Sequence, residues 1–421
     1  MKDKITVGYI GLGRRGVNVL RNEFALMKDV YVKYICDLSD EYLERAHEIV
    51  TRKGGYEPIK TKNYKDVIND PDVDAVVIMI GWSGRPQMAI ESMRAGKYTA
   101  IEVGVADNLQ ECYDLIKTYE ETGTPLMMLE NCCYGRRELL SLNMERSGNL
   151  GELVYCTGGY QHYLCDEDLF NGYTGNNDDI AHYRIHHYVD KNRENYPTHE
   201  FGPLSKVLKI NRGNRIVKVS SSATKAVGIK SYIENKFGKD DRYAKIDYTQ
   251  GDVINTIITC ENGEMVMLTL DTTLPRAYYS RNYSVRGTLG MVDENRKVVY
   301  VAGMEETENN EEEMFAKYDH PLQAEYVSLG VKGGHGGMDW LVCRAFVESV
   351  KNGTNTPIDA YDTVAWLAIG PLSEESIKNG GAPVEFPDFT NGKWKDTTPV
   401  NTGKYSLDVV VEDKETPIFP E

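Results

Sequence analysis

Two stretches of the chain carry the residue types that proton transfer needs. One is Glu130-Asn131-Cys132-Cys133-Tyr134-Gly135-Arg136. The other is a polar, aromatic and histidine-rich segment ending in Tyr196-Pro197-Thr198-His199. A general base needs a pKa near the working pH or one shifted toward it, so His199 and Tyr134 are the foremost candidates. The first stretch lies where one pattern of strands and helices gives way to another. It is read as the seam between two domains, with Tyr134 at the meeting point, and ligand sites favour such clefts. The plainer alternative is a buried loop whose tyrosine only packs.

The elements before the seam are regular. Ile5 to Ile10 is a short apolar run leading into Gly11-Leu12-Gly13-Arg14-Arg15-Gly16, and the spacing of Val17, Leu20 and Phe24 then predicts a helix. A second apolar run, Val30 to Cys36, ends at Asp37. This strand-turn-helix-strand context lifts GxGxxG above a chance match. Gly11 permits the tight turn, Gly13 lets the backbone approach a pyrophosphate, and Gly16 lets helix and strand pack closely. The helix N-terminus then faces the phosphates. Asp37, about 20 residues past the glycines, is placed for the adenosine ribose hydroxyls and would repel a 2′-phosphate, so NAD is expected over NADP.

The alternation continues with strands at Asp74 to Ile80, Tyr98 to Glu102 and Pro125 to Leu129, and helices at Arg85 to Ala95 and Leu109 to Glu121. The expected first domain, residues 1–130, is therefore an α/β Rossmann-type doubly wound parallel sheet. Ligands sit at the carboxyl ends of such strands, which places Gly81-Trp82-Ser83 and Glu102-Val103-Gly104 beside the cofactor. Trp82 either touches the cofactor or caps the sheet.

Residues 131–421 follow a different rhythm. Arg137 to Met144 is expected to be helical, and Val154, Cys156 and Tyr160 alternate as in a strand. Asp166 to Asn195 is polar throughout, as a functional lid or mobile loop would be. His182 and His186 have i,i+4 spacing with Asp178 and Asp179 nearby, but the second half of a metal signature is missing, so no metal is expected. His186 and His187 read as solvated. Ile216 to Val227 is a strand region. Asp252 to Thr259 with Met265 to Thr272, and Tyr283 to Asp293 with Lys297 to Val301, form two expected hairpins. Glu305 to Glu313 reads as a solvated acidic loop. Asp339 to Lys351 and Ala360 to Lys378 have helical periodicity and are placed to brace the two domains. The second domain is thus expected as an α+β layer with a mostly antiparallel open sheet, for substrate binding and oligomerisation.

Composition sets bounds. At 421 residues, 41% hydrophobic and 27% charged, the chain reads as soluble and globular. A net charge of -16 argues against a nucleic-acid partner. No apolar run approaches the roughly 20 residues of a membrane span. The eight cysteines lack disulfide or zinc spacing and look like small core residues. Met1 leads directly into a strand pattern, so no signal peptide is read; a cytoplasmic location fits the chain as it stands, a periplasmic or exported one if a leader was trimmed.

Six stretches match one pattern: Gly11 to Gly16; Glu130 to Arg136; Tyr196-Pro197-Thr198-His199 with Gly202-Pro203; Pro275-Arg276 with Tyr279-Ser280-Arg281; Gly334-His335-Gly336-Gly337-Met338-Asp339; and Gly370-Pro371-Leu372-Ser373-Glu374. Together they resemble glycoside hydrolase family 109, the NAD-dependent α-N-acetylgalactosaminidase-like branch of the Gfo/Idh/MocA oxidoreductase superfamily. Superfamily dehydrogenases carry Glu-Lys-Pro where this chain has Glu102-Val103-Gly104, and Val103 cannot do the lysine's proton transfer. The hydrolase branch is similar to Glu-Val-Pro there. Glu200-Phe201 stands where the branch more often has Gly-Leu.

The resemblance implies a redox elimination. Bound NAD takes a hydride from C3 of the sugar, the resulting ketone acidifies the C2 proton, the C1 substituent leaves, water adds, and the hydride returns. NAD-dependent enzymes are a recognised exception to two-carboxylate glycosidases. It also implies site residues. His199, Tyr134 and Tyr279 would surround the sugar near the nicotinamide, with Tyr278 the alternative to Tyr279. Glu102 would contact sugar or cofactor, and Arg184 and Tyr196 would hold sugar hydroxyls. The cofactor set is Gly11, Leu12, Gly13, Arg14, Arg15, Gly16, Asp37, Trp82, Glu102, Asn131 and His335, the last either facing NAD or merely ending a strand. Oligomers are expected by resemblance, so the partners are a glycoside and further copies of the chain. An ordinary sugar dehydrogenase and a non-catalytic sugar or dinucleotide sensor remain the alternative functions.

Overall fold

The computed structural model describes residues 2–176 and 180–420. Its first sheet comprises β1 (Ile5–Ile10), β2 (Val30–Cys36), β3 (Ile59–Thr61), β4 (Ala75–Ile78), β5 (Tyr98–Ile101) and β6 (Leu126–Met128). The spatial order is β3-β2-β1-β4-β5-β6, and every pair is parallel. β4 is buried along its whole length. This is why it reads as a continuous Ala-Val-Val-Ile run rather than an alternating one. The helices start where polar caps allow: Asn108 accepts a hydrogen bond from the Glu111 amide ahead of helix Leu109–Thr122, which then ends on Gly123. The order reverses between β1 and β4, so a crevice opens beyond their carboxyl ends, at Gly11 and Met79.

The second sheet has eight strands: β7 (Leu153–Gln161), β8 (Ile216–Ala223), β9 (Val253–Cys260), β10 (Met265–Asp271), β11 (Ser284–Gly287), β12 (Gly290–Asp293), β13 (Val298–Val301) and β14 (Val384–Glu385). Their order is β13-β12-β11-β7-β10-β9-β8-β14, antiparallel except for β7 against β10. The hairpin of β9 and β10 is present as expected. The Tyr283 to Asp293 run is not one strand: it folds back at Thr288-Leu289 into β11 and β12, and Gly287 at the end of β11 lies so close to the Leu150 carbonyl that a Cβ would sit 2.1 Å from the oxygen. The acidic run Glu305 to Glu313 is also not wholly a loop. Glu311 begins helix Glu311–Tyr318 and is buried against Arg137, with Nη2 2.9 Å from Oε2. Acids suit a first helical turn.

Two long helices, Met338–Asn352 and Ala360–Lys378, pack back on the first sheet's domain. Arg344 and Lys351 both donate to Asp29, which lies just before β2. The tail runs over the same helices, with the Trp340 indole donating to the Ile418 carbonyl 3.1 Å away. The segment Asp166 to Asn195, read as a functional lid or mobile loop, is packed in much of its described part. Tyr188, Arg193, Glu194 and Asn195 are buried in it, and Phe170 and Tyr173 join a second apolar cluster with Tyr243. All eight cysteines are buried and unbridged. No helix among the described residues is long and apolar enough to cross a membrane.

Candidate active site

The glycine loop has the geometry its sequence promises. Gly11 sits at φ +93°, and a Cβ there would come within 2.7 Å of the Met79 backbone. A Cβ on Gly16 would lie 2.1 Å from the Gly11 carbonyl oxygen, so only glycine allows this contact between helix and turn. Gly13, at the mouth of helix Arg14–Asn22, has open space in front of it. Two glycine positions packed shut and a third open toward the crevice fit a pyrophosphate laid on the helix N-terminus. Asp37 stands at the end of β2, its Oδ2 accepting from the Leu12 amide at 2.7 Å and its Oδ1 from the Ser39 amide at 2.9 Å. It holds the loop in shape and keeps further lone pairs on both oxygens.

One carboxylate ties this loop to the distant end of the chain. Asp339 accepts from Arg15 through Nη1 at 2.6 Å and Nη2 at 2.9 Å, and from Asn131 Nδ2 at 2.7 Å. His335 Nδ1 lies 2.8 Å from the same group. The cations win over burial, and Asp339 falls far below the usual carboxylate range. Arg15 Nε also reaches Glu102 at 3.3 Å. Glu102, Asn131 and His335 therefore meet beside the cofactor loop. His335 does not end a strand; it opens the turn that leads into helix Met338–Asn352.

Across the crevice lies a cage of rings around an ion pair. His199, on helix Pro197–Val207, places Nδ1 2.7 Å from Glu130 Oε1 and 3.4 Å from Cys132 Sγ. Burial alone would neutralise both partners. Their mutual attraction outweighs it, so Glu130 is held below the ordinary carboxylate value and His199 well above the ordinary histidine value, Cys132 adding to the latter. The Tyr160 ring stacks on Tyr196 at 4.3 Å and lies 5.2 Å from the His199 ring. Tyr279 closes the cage edge-on, 6.1 Å from Tyr160 and 5.2 Å from His162. Tyr278, the alternative, packs against the Arg276 guanidinium instead. Arg184 lies over Trp82 and Tyr196 at 5.6 and 5.5 Å from their centroids. Its Nε and the Tyr196 hydroxyl are buried without a partner, as donors that await a ligand would be.

Local sequence explains how the cage is built. Gly158 lets the His199 helix press onto β7, since a Cβ there would lie 2.2 Å from the Glu200 carbonyl oxygen. Gly104, where the resemblance has proline, makes room for Trp82, whose ring would be 2.5 Å from any Cβ. Trp82 thus caps β4 by packing on His187 and Tyr196. His187 is accordingly buried rather than solvated, and burial pushes its imidazole down to about 4. Glu200, another departure, lies against Glu194 behind the same helix, and burial raises both carboxyls, Glu194 to about 7. Burial and like charge both favour the neutral form of such a pair.

Tyr134 does not join the cage. Its side chain is fully buried, and its hydroxyl donates to the Tyr405 carbonyl oxygen at 2.8 Å. The tail, unseen in any local pattern, takes the group that was expected to act on substrate. Tyr134→Phe should therefore leave activity within about twofold of the parent and cost about 1 kcal/mol of stability, to be checked by steady-state rates and thermal unfolding. Glu130, Tyr160 and His162 were missed as site residues. The rule that ligands sit at strand carboxyl ends would have found Glu130, which follows β6; no local signal marks the other two.

Of the metal reading, Asp178 and Asp179 lie outside the described residues, and His182 Nδ1 accepts from the Arg184 amide. Among the described residues one donor group comes together, Glu130, Cys132 and His199. Its 2.7 Å contact is that of a charge-assisted hydrogen bond.

The glycine loop, the Asp37 strand end and a second domain that lends histidine and tyrosines to the crevice define a two-domain NAD-binding enzyme. A family profile described as "Oxidoreductase family, NAD-binding Rossmann fold" matches residues 5–130, and one described as "Glycosyl hydrolase 109, C-terminal domain" matches residues 134–396. The chain is 38% identical over 426 residues to a glycosyl hydrolase family 109 protein of Stenotrophomonas maltophilia, covering 96% of this chain and 93% of that one. It is 36% identical over 406 residues to an alpha-N-acetylgalactosaminidase of Tannerella forsythia, covering 92% and 86%. The chain belongs to glycosyl hydrolase family 109, and it is an NAD-dependent glycosidase. Among solved structures, levoglucosan dehydrogenase with NADH and L-sorbose matches at a TM-score of 0.68 and 17% identity, covering 92% of this chain and 100% of that one. An NAD binding oxidoreductase from Klebsiella pneumoniae matches at 0.69 and 16%, with the same coverage. At such identities the likeness speaks for the fold alone.

Proposed function

We propose that this glycosidase acts on α-N-acetylgalactosaminides or closely related glycosides without net redox change, as a homo-oligomer. The observation that carries the mechanism is the buried Glu130–His199 pair inside the ring cage, opposite the glycine loop. Bound NAD supplies the hydride acceptor for such a cycle. The chain supplies everything else. Nδ1 of His199 is engaged by Glu130, so the Nε2 edge is what remains for a sugar hydroxyl. The imidazolium there can give its proton to the departing C1 oxygen as that bond breaks, and Glu130 keeps the charged ring in place until then. Tyr160, Tyr196 and Tyr279 are raised in pKa by burial and stay protonated donors. The exposed Tyr279 ring offers the sugar an apolar surface while Arg184 Nε offers a fixed donor. Val103, at the end of β5, brings no proton-transferring group of its own, which favours a sugar oxidised only in passing. The relative named alpha-N-acetylgalactosaminidase supports the choice of sugar.

The test is incubation in heavy water with a panel of α- and β-aryl glycosides, following aglycone release, NADH absorbance and deuterium at C2 of the freed sugar. Aglycone release with C2 deuterium and no lasting NADH is expected. Lasting NADH without aglycone release would replace the proposal with a dehydrogenase.

A further inference from the structure

We propose that Asp168 is the bolt of a latch that closes the substrate domain over the glycine loop and keeps NAD on the enzyme between turnovers. Arg14 is the first residue of the helix behind Gly13, yet its side chain turns away from its own domain. Its Nη2 donates to Asp168 Oδ1 at 2.9 Å and its Nη1 to the Glu167 carbonyl oxygen at 2.8 Å. The other oxygen of Asp168 takes Arg184, the guanidinium that lies over Trp82 and Tyr196 in the ring cage. One buried carboxylate thus joins a cation beside the pyrophosphate position to a cation beside the sugar position. Asp168 is anchored: it sits in the π-helical turn Cys165–Leu169, and Phe170, the residue after that turn, is set among Tyr173, Tyr232 and Tyr243.

The chemistry gives the latch its use. A dehydrogenase must release its reduced cofactor every turnover, whereas a cycle that returns its hydride gains nothing by opening. A carboxylate shared by two cations also makes the two events interdependent, since a ligand that draws Arg184 alters the field holding Arg14. This rationale rests on the redox-neutral reading, but the latch is tested without substrate, so either can fail alone.

The enzyme is loaded with radiolabelled NAD, and label loss is followed during a chase with excess unlabelled NAD. The parent is compared with Asp168→Asn, Arg14→Gln and the double variant, with circular dichroism and thermal unfolding as controls for folding. Breaking a partly buried charge pair acts on dissociation, so each single variant should release NAD about tenfold faster. The double variant should be no faster than either single one. Unchanged release in Arg14→Gln, whose side chain is 62% exposed and whose loss spares the fold, would overturn the latch. Additive effects in the double variant would also overturn it, because Arg14 would then act on NAD directly.

Discussion

His199→Asn should lower kcat by about three orders of magnitude, within the range that a positioned acid or base contributes, while the purified protein still carries a full complement of NAD. Asparagine keeps a donor toward Glu130 and nearly keeps the volume of the Nδ1 side of the ring, so the helix need not shift. What it loses is the Nε2 edge and the positive charge. The loss of charge strands Glu130, which has no exposure to water and relies on that imidazolium to stay ionised. The variant therefore removes both the group that faces the sugar and the partner that keeps the carboxylate charged. Steady-state release of an aryl aglycone gives the rate, and the absorbance of extracted NAD gives the occupancy. A loss of less than about tenfold, smaller than general acid–base catalysis normally supplies, would move the proton-transfer role elsewhere in the cage.

Asp362→Ala should destabilise the fold by about 4 kcal/mol, the cost of orphaning buried cations. The Lys206 ammonium lies 2.8 Å from Asp362 Oδ2, and Arg212 Nη1 lies 3.0 Å from Oδ1. Both cations are almost wholly buried. Asp408 from the tail shares them, which softens the loss without replacing it. Asp362 also completes the capping box of helix Ala360–Lys378, whose N-cap is Asp359. That helix packs on helix Leu109–Thr122 of the first domain and on the His199 helix of the second, so a frayed start loosens the brace between them. For a chain of this size the midpoint of thermal unfolding should fall by about 4 °C. Asp362→Asn, which keeps the cap but not the charge, should lie between the two.

Local rules carried much of the architecture. The strand Ile5 to Ile10 and the helix Ala360 to Lys378 lie where their apolar runs put them, because each is buried on nearly every side and its sequence says so locally. The Tyr283 to Asp293 run misled because two short antiparallel strands separated by Thr288-Leu289 have the same alternation as one longer strand. The acidic run misled because Glu311 is charged but buried, and only Arg137, distant in the chain, makes that burial tolerable. His187 misled for a related reason: a histidine in a polar segment reads as wet until a tryptophan ring is known to cover it.

The cofactor end of this protein is legible in short contiguous stretches of the chain. A glycine loop, an acid at the end of the next strand and the alternation of strands with helices are all encoded within a few dozen contiguous residues, where steric rules on φ and close approach leave little choice. Only the tertiary structure decided the substrate end. Glu130 meets His199, Tyr160 meets Tyr196, and Asp339 meets Arg15 and Asn131 across long stretches of chain. Tyr134, close in sequence to Glu130 and Cys132 of the cage, instead gives its hydroxyl to a single backbone carbonyl of the tail at Tyr405. Such contacts are fixed by how two sheets and their bracing helices pack, and packing is a property of surfaces brought together, which no local spacing contains.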